Sequence, residues 1–454
     1  MQRVTIIGAG IAGSEAALQL AARGIPVRLL EMRPDTMGPA HHTGEFAELV
    51  CSNSLKGTDP ASAAGLLKGE LATLGSFVLA AAYRCRVPAG AALAVDREAF
   101  CRVVTEAIES HPSIEVERRE AVAIPAGDVI VAAGPLPSAG LEEALSSLVG
   151  PERLAFFDAA APIVSADSVD RSRCFAASRW GKGGADYLNC PLTRQEYDTL
   201  IGALVSAERV HAKAFERREL FSACQPVEEV ARTGPDALRF GALKPVGLVD
   251  PGSGHRPWAV VQLRPETRSG SAYNLVGFQT NLTFAEQRRV LGMIPALADA
   301  DFLRYGVMHR NSFIDAPRLL TPGLALRSDR RIHIAGQLAG TEGYLEAAAT
   351  GLVAALDVFA ARDGSNPVRL PSTTALGALL AYATDPETLD YQPMHVNFGL
   401  MPPLDPPVRR KRERYAAYSE RARRDLAHYL SARRDLIPPQ GPVPAPHVPD
   451  EEGE

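Results

Sequence analysis

The sequence predicts an α/β fold. A Rossmann-like dinucleotide-binding domain is interrupted by an inserted α+β domain and followed by a C-terminal helical extension. Three observations predict it. The N-terminus reads strand, glycine turn, helix, strand, which is a βαβ start and implies a parallel sheet. Two further buried-strand signals, Val129–Ala133 and Ile332–Ala335, lie far downstream. Between them runs a long stretch of mixed helix and strand pattern, which reads as a domain inserted into the sheet domain. The boundaries expected are 1–145 and 326–365 for the two parts of the nucleotide domain, 146–325 for the insertion, 366–437 for the helical region and 438–454 for a disordered tail.

Each element has a local reason. Val4–Ala9 is a short apolar run, and the helix after it carries Ala16, Ala17, Leu20 and Ala21 on one face. Gly24 suits the residue after a helix end, and Val27–Leu30 forms the next strand. Gly134-Pro135 closes the strand at 129–133, and Gly336 precedes a long Ala-rich helix, Tyr344 to Ala361. Within the insertion, Tyr197–Arg209 reads as helix, and Trp258–Leu263 and Tyr273–Phe278 as strands. Prolines at 367 and 371 and two Pro-Pro pairs at 402–403 and 406–407 set off the C-terminal region. Residues 409–434 carry a net charge of +7, and Tyr415, Tyr418, Ala422, Leu426 and Tyr429 recur at helical spacing, which predicts a basic amphipathic helix. Beyond Ile437 the Pro-rich, acidic end cannot form a core.

Composition bounds the function. With 454 residues, 46% hydrophobic and 22% charged, the chain is globular and long enough for about three domain-sized units. No run approaches the ~18 consecutive apolar residues of a membrane span, and Arg3–Ile7 already reads as strand, so no signal peptide is expected. The six cysteines (51, 85, 101, 174, 190, 224) form no CxxC pair and no metal-ligand spacing, which points to reduced thiols in a cytoplasm. His41-His42 has no zinc-site spacing, so no metal is expected. A net charge of -5 argues at first against a nucleic-acid partner, but it sums regions of opposite sign, and RNA binding depends on local potential.

The chemistry begins at Gly8-Ala9-Gly10-Ile11-Ala12-Gly13, a GxGxxG directly after a strand and before a helix. One glycine permits the tight turn, one lets backbone approach a pyrophosphate, and one allows helix to pack on strand. The helix N-terminus offers unpaired N–H groups to the phosphates, and Glu31 closes the second strand where an acid binds ribose hydroxyls. These residues do not choose between FAD and NAD. A second strand-to-helix glycine turn, Ala335–Gly340 followed by Glu342-Gly343-Tyr344, suits a flavin, whose ring system lies far from its adenosine. The alternative is an ordinary strand–helix connection. No second GxGxxG marks a separate NAD(P)H domain. Two cysteines stand apart: Cys51, where an apolar run gives way to Ser52-Asn53-Ser54, and Cys224, shortly after Arg217-Arg218. A thiol near cations or a helix N-terminus becomes nucleophilic, whereas the other four read as small buried hydrophobes.

Taken together, GAGIAGSEAA at 8–17, EMRP at 31–34, AHHTGEFAELVCSNSL at 40–55, PAGAALAVDR at 88–97 and KPVGLVDP at 244–251 resemble one family. So do YGVMHRNSFIDAPRLL at 305–320, AGQLAGTEGYLEAAATGL at 335–352 and FGLMPPL at 398–404. That family is the folate- and FAD-dependent tRNA (uracil-5-)-methyltransferases, which make ribothymidine at position 54 of the tRNA T-loop. Gly44 and Ala91 depart from its pattern. The resemblance implies a glutathione-reductase-type domain holding FAD at Gly8, Ala9, Gly10, Ile11, Ala12, Gly13, Glu31 and Arg33, completed by Gly336, Gln337, Gly343 and Tyr344. It implies Cys51 and Cys224 as the catalytic pair, with Cys51 read as nucleophile and Cys224 as acid/base partner, an order the sequence leaves open. Methylenetetrahydrofolate then supplies the carbon and FAD reduced by NAD(P)H the electrons, with tRNA as partner. Lys244 and His309-Arg310-Asn311 are further candidates for folate or phosphate. The competing readings are an NAD(P)H-dependent flavin oxidoreductase acting on a small molecule, and a non-catalytic RNA-binding protein with structural FAD.

Overall fold

The structure, a computed structural model, describes residues 2–150, 153–159, 161–181, 184–210, 225–265, 272–306, 308–388, 391 and 393–437. Five strands, Val4–Ile7 (β1), Val27–Glu31 (β2), Ile114–Arg118 (β3), Val129–Val131 (β4) and Ile332–Ile334 (β5), form a parallel sheet in the order β5-β4-β1-β2-β3. β1, β4 and β5 are buried along their whole length, which is why they read as mostly apolar runs, broken only by the buried Thr5 and His333. β3 lies at the edge and spells Ile-Glu-Val-Glu-Arg. Its alternate residues are charged, so it carries no apolar run.

Two helices pack against each other over this sheet: Ile11–Ala22 (α1) and Tyr344–Asp363 (α2). α1 was expected to bury one face, yet every residue from Ile11 to Ala21 is buried, because α2 lies across it. The contact is close at Gly351, where an added Cβ would stand 2.1 Å from the Ala12 carbonyl oxygen. α2 is long and apolar enough to pass as a membrane span by length and composition, and 78% of its apolar window is buried inside the fold. A helix apolar all round is accounted for here by core packing.

After β4 the chain builds a second sheet before it returns at β5. Its six strands run in the order Phe175–Ala176, Leu188–Leu192, Ala259–Pro265, Ala272–Leu275, Ile163–Ser165, Phe302–Arg304, and the pairs are antiparallel. Arg153–Ala159 pairs separately with Met308–Ile314. The helix expected at 197–209 runs Arg194–Ser206, starting earlier because Thr193 and Glu196 form a reciprocal capping box. It lays Tyr197, Leu200 and Leu204 on Leu188, Cys190, Val261 and Leu263, a core distinct from that of the parallel sheet. The fold is therefore the α/β class that the sequence predicts.

The C-terminal segment wraps back over the first core. The helix Ala375–Thr384 begins with the amides of Ala375 and Leu376 donating to the buried Glu70 carboxylate, at 2.7 and 2.8 Å. The basic helix Lys411–Ala432 (α3) buries Tyr418, Ala422, Leu426 and Leu430 and leaves most of its arginines in solvent.

Candidate active site and its cavity

The glycine turn is built as the motif requires. Gly8 sits at φ +95°, donates its amide to Leu30 O, and an added Cβ would come 2.7 Å from Ala132 O. Gly13 faces the turn itself, since its Cβ would stand 1.8 Å from Gly8 O. Gly10 is the N-cap of α1 and has no side chain to cap it, and its Cβ position meets nothing within 4 Å. The first amides of α1 thus lack an intrahelical acceptor and front open space, which suits a phosphate.

Glu31 ends β2 beside this turn. Its carboxylate accepts the Ala9 amide at 2.8 Å and three bonds from Arg33, through backbone N and side-chain Nε at 3.0 Å each and Nη2 at 3.3 Å. Burial pushes its pKa up, but these bonds and the Arg33 charge outweigh burial and hold it below the ordinary carboxylate value. Arg33 is itself buried and reaches Glu48 at 3.1 Å, so one guanidinium bridges two carboxylates. The four acceptor positions of Glu31 are therefore filled. A ribose hydroxyl reaches it only by displacing the long Arg33 bond, so as built the residue positions the turn and Arg33. Burial, then the Arg33 charge, pushes neighbouring His41 down to about 4, leaving it neutral with a buried Nδ1 that has no partner among the described residues.

Cys51 lies on a loop held from several sides. Arg97 donates to Leu49 O at 2.5 Å, and Asn53 donates to Val95 O and Pro265 O at 3.0 and 2.9 Å. Arg264, from the inserted sheet, donates to Asn53 Oδ1 and Ser52 Oγ at 2.8 Å. The thiol itself meets Tyr344, the first residue of α2. The Tyr344 hydroxyl oxygen accepts the Cys51 and Ser52 amides at 2.8 and 3.4 Å and stands 3.0 Å from Cys51 Sγ. With its lone pairs occupied, the phenol directs its own proton at the sulfur. Burial, then the charge of Cys51, holds the Tyr344 pKa well above its ordinary value, so that proton stays on oxygen. A donor aimed at sulfur favours the thiolate. Tyr344→Phe is accordingly expected to slow alkylation of Cys51 by iodoacetamide about tenfold at neutral pH, the size of one charge-assisted hydrogen bond. Peptide mapping of labelled Cys51 over time measures this, and an unchanged rate removes Tyr344 from thiol activation.

These parts line one cavity of about 560 Å3, within the usual size range of ligand sites. Gly8, Gly10, Ile11, Ala12, Glu31 and Arg33 supply one group of lining residues, Gly336, Gln337, Gly343 and Tyr344 another, and Cys51 is among them. Gly336 and Gly343 take φ +73° and +118°, backbone that only glycine adopts without strain, and a Cβ on Gly336 would press on Ala12 at 3.2 Å. Of the expected cofactor residues, Ala9 and Gly13 shape the turn without lining the cavity. The cavity fits an extended dinucleotide: free amides for the pyrophosphate, an open face at Gly10, largely apolar walls, and an unsatisfied buried ring nitrogen at His41, which also lines it.

Other expectations divide. Cys224 lies outside the described residues. His309, Arg310 and Asn311 fall on the strand Met308–Ile314, where the backbone pairing is described. Lys244 is exposed on the insertion and does not line the cavity. Cys85 and Cys101 are buried, and burial pushes the Cys101 thiol up to about 12. Cys174 and Cys190, read as separate hydrophobes, instead stand with their sulfurs 3.4 Å apart as free thiols.

A profile of the family described as "Glucose inhibited division protein A" matches residues 3–366. A Heliobacterium modesticaldum protein named "Methylenetetrahydrofolate--tRNA-(uracil-5-)-methyltransferase TrmFO" is 54% identical over 429 residues, 94% of this chain and 98% of its own. The chain belongs to this methyltransferase family. A member of the same name from Geobacter sulfurreducens is 53% identical over 430 residues, 94% of this chain and 99% of its own. Among solved structures, Aquifex aeolicus GidA superimposes with TM-score 0.69 at 18% identity, covering 96% of this chain and 74% of that one, a likeness of fold.

Proposed function

We propose that this cytoplasmic enzyme methylates C5 of uridine 54 in the T-loop of tRNA, with methylenetetrahydrofolate as carbon donor, FAD in the cavity and NAD(P)H as source of electrons. Family membership makes it a folate-dependent tRNA uracil-5 methyltransferase, and the finer assignments are our reading. The observation that carries them is Cys51, a thiol under the Tyr344 proton, lining the same cavity as the glycine turn.

The chain's own residues then divide the work. The amides at the start of α1 and the turn Gly8–Gly13 bind the FAD pyrophosphate, and Glu31 holds that turn in shape. Bound there, FAD supplies the reducing electrons. Uracil C5 is a poor nucleophile until a thiolate adds at C6 and makes C5 enolate-like. Cys51, with Tyr344 donating to its sulfur, is the group for that addition, and Arg264 and Asn53 keep its loop in place. Cys224 takes the C5 proton as acid/base partner. The five described cysteines are all free thiols, which supports a reducing compartment.

The test incubates the protein with unmodified tRNA, carbon-labelled methylenetetrahydrofolate and NADPH under low oxygen. Label is expected in the T-loop uridine. A fully FAD-loaded enzyme that leaves the loop unlabelled while oxidising NADPH in the absence of RNA belongs instead to the small-molecule oxidoreductases.

A further inference from the structure

A turn and a short helix that flank the strands of the second sheet carry a second constellation, outside the cavity lining. Trp180, 62% exposed, and Phe240, 75% exposed, are the two most exposed large hydrophobic side chains among the described residues. The backbone is bent to present the first of them. Trp180 occupies φ 56°, ψ 23°, a strained conformation for a bulky residue, and such strain persists only where the surroundings enforce it. Its amide donates to Gly247 O at 2.9 Å, and the indole lies flat on Gly247, where an added Cβ would come 2.7 Å from the ring. Phe240 begins the same segment, with the Arg239 guanidinium 5.5 Å from its ring. Four residues after Phe240 and three before Gly247, the chain exposes Lys244.

The segment that carries these aromatic and basic residues is tied to the Cys51 loop through one strand. Arg179, next to Trp180, donates to Lys244 O and Val246 O and through Nε to Gln262 Oε1 at 3.0 Å. Two residues along the strand Ala259–Pro265, Arg264 holds Ser52 and Asn53. Residues i and i+2 of a strand project from the same face about 7 Å apart. The patch and the nucleophile loop are thus anchored at neighbouring positions on one side of one sheet.

We propose that Trp180 and Phe240 are stacking platforms for unpaired bases of the RNA loop that brings uridine to Cys51, with Lys244 on an adjoining phosphate. This rests on the tRNA methyltransferase reading above. Exposed aromatic faces interleaved with cations are what single-stranded RNA loops bind, because every base offers a π-face and every linkage a negative charge. The positive side chains and the continuity with the Cys51 loop select RNA over an apolar partner.

The chain has two tryptophans, so Trp258→Phe makes Trp180 the sole tryptophan, read by selective indole excitation, and keeps a ring under Arg239. Titrating FAD-loaded protein with unmodified tRNA is expected to quench that fluorescence. Trp180→Ala should weaken tRNA binding tenfold or more, about what one base–aromatic stack supplies, raising KM for tRNA with kcat changed less than twofold. Trp180→Phe should restore most of the affinity, which separates stacking from misfolding. Lys244→Ala should reduce the slope of log affinity against log salt by about one. Wild-type tRNA affinity in Trp180→Ala overturns the proposal, as does equal quenching by heparin, which has charge without bases, or by methylenetetrahydrofolate alone. An enzyme that methylates tRNA normally in that variant loses only this inference, whereas wild type unable to methylate tRNA loses the underlying reading.

Discussion

Cys51→Ala is expected to lower methyl transfer to tRNA at least ~1000-fold while the protein folds, binds FAD and is reduced by NADPH as before. The loss is chemical because the loop does not depend on the sulfur for its shape. Arg97 holds Leu49 O, Asn53 bridges Val95 O and Pro265 O, and Arg264 clamps Ser52 and Asn53, and none of these bonds involves the thiol. The Tyr344 hydroxyl also keeps its two backbone donors in the variant. The direct measurement uses tRNA carrying 5-fluorouridine at position 54. Fluorine cannot leave as a proton does, so wild type should accumulate a covalent protein–RNA adduct stable to denaturing gel, and Cys51→Ala should form none. An adduct that persists in Cys51→Ala and vanishes in Cys224→Ala reverses the two roles. Tyr344→Phe should form the adduct more slowly but to the same final extent, since it alters the thiol's ionisation and not its presence.

The glycine turn, the acid at the end of the second strand and the strands β1, β4 and β5 were legible because each rests on local rules: φ freedom, helix N-termini and short, mostly apolar runs next to a glycine turn. What stayed hidden depends on distance along the chain. Tyr344 reads as a wall of the cofactor site, yet its hydroxyl belongs to Cys51, a partner 293 residues away that no spacing rule connects. Cys174 and Cys190 look scattered because one precedes the short edge strand Phe175–Ala176 and the other lies on its neighbour, so only sheet register brings the sulfurs together. Glu31 shows a subtler gap. Its position is predicted correctly, but the sequence could not reveal that Arg33, two residues on, would fold back and fill the acceptor capacity assigned to a ribose. Neither the exposure of Trp180 nor its left-handed backbone leaves a mark in composition.

Two alanines three residues apart should separate folding from cofactor binding. At Gly13 the added methyl would meet Gly8 O at 1.8 Å and the Ala132 Cβ at 3.3 Å. The first contact is with backbone, which cannot rotate away, so α1 must lift off the turn. Alanine's intrinsic preference for helix, about 1 kcal/mol over glycine, is outweighed by overpacking of about 1–3 kcal/mol together with loss of the α1–α2 contact, which is tight at Ala12 and Gly351. Gly13→Ala should therefore lower the Tm of FAD-free protein by roughly 5 °C and abolish FAD retention. At Gly10 the methyl meets nothing within 4 Å, so the FAD-free protein should melt within about 2 °C of wild type. Yet that open face lies where α1 offers its unpaired amides, and a methyl there excludes a pyrophosphate oxygen from them. Gly10→Ala should thus weaken FAD binding at least ~100-fold with the fold intact, read by flavin titration of FAD-free protein. FAD affinity equal to wild type in Gly10→Ala would place the phosphates elsewhere and remove the glycine turn from the cofactor site, whatever Gly13→Ala does to stability.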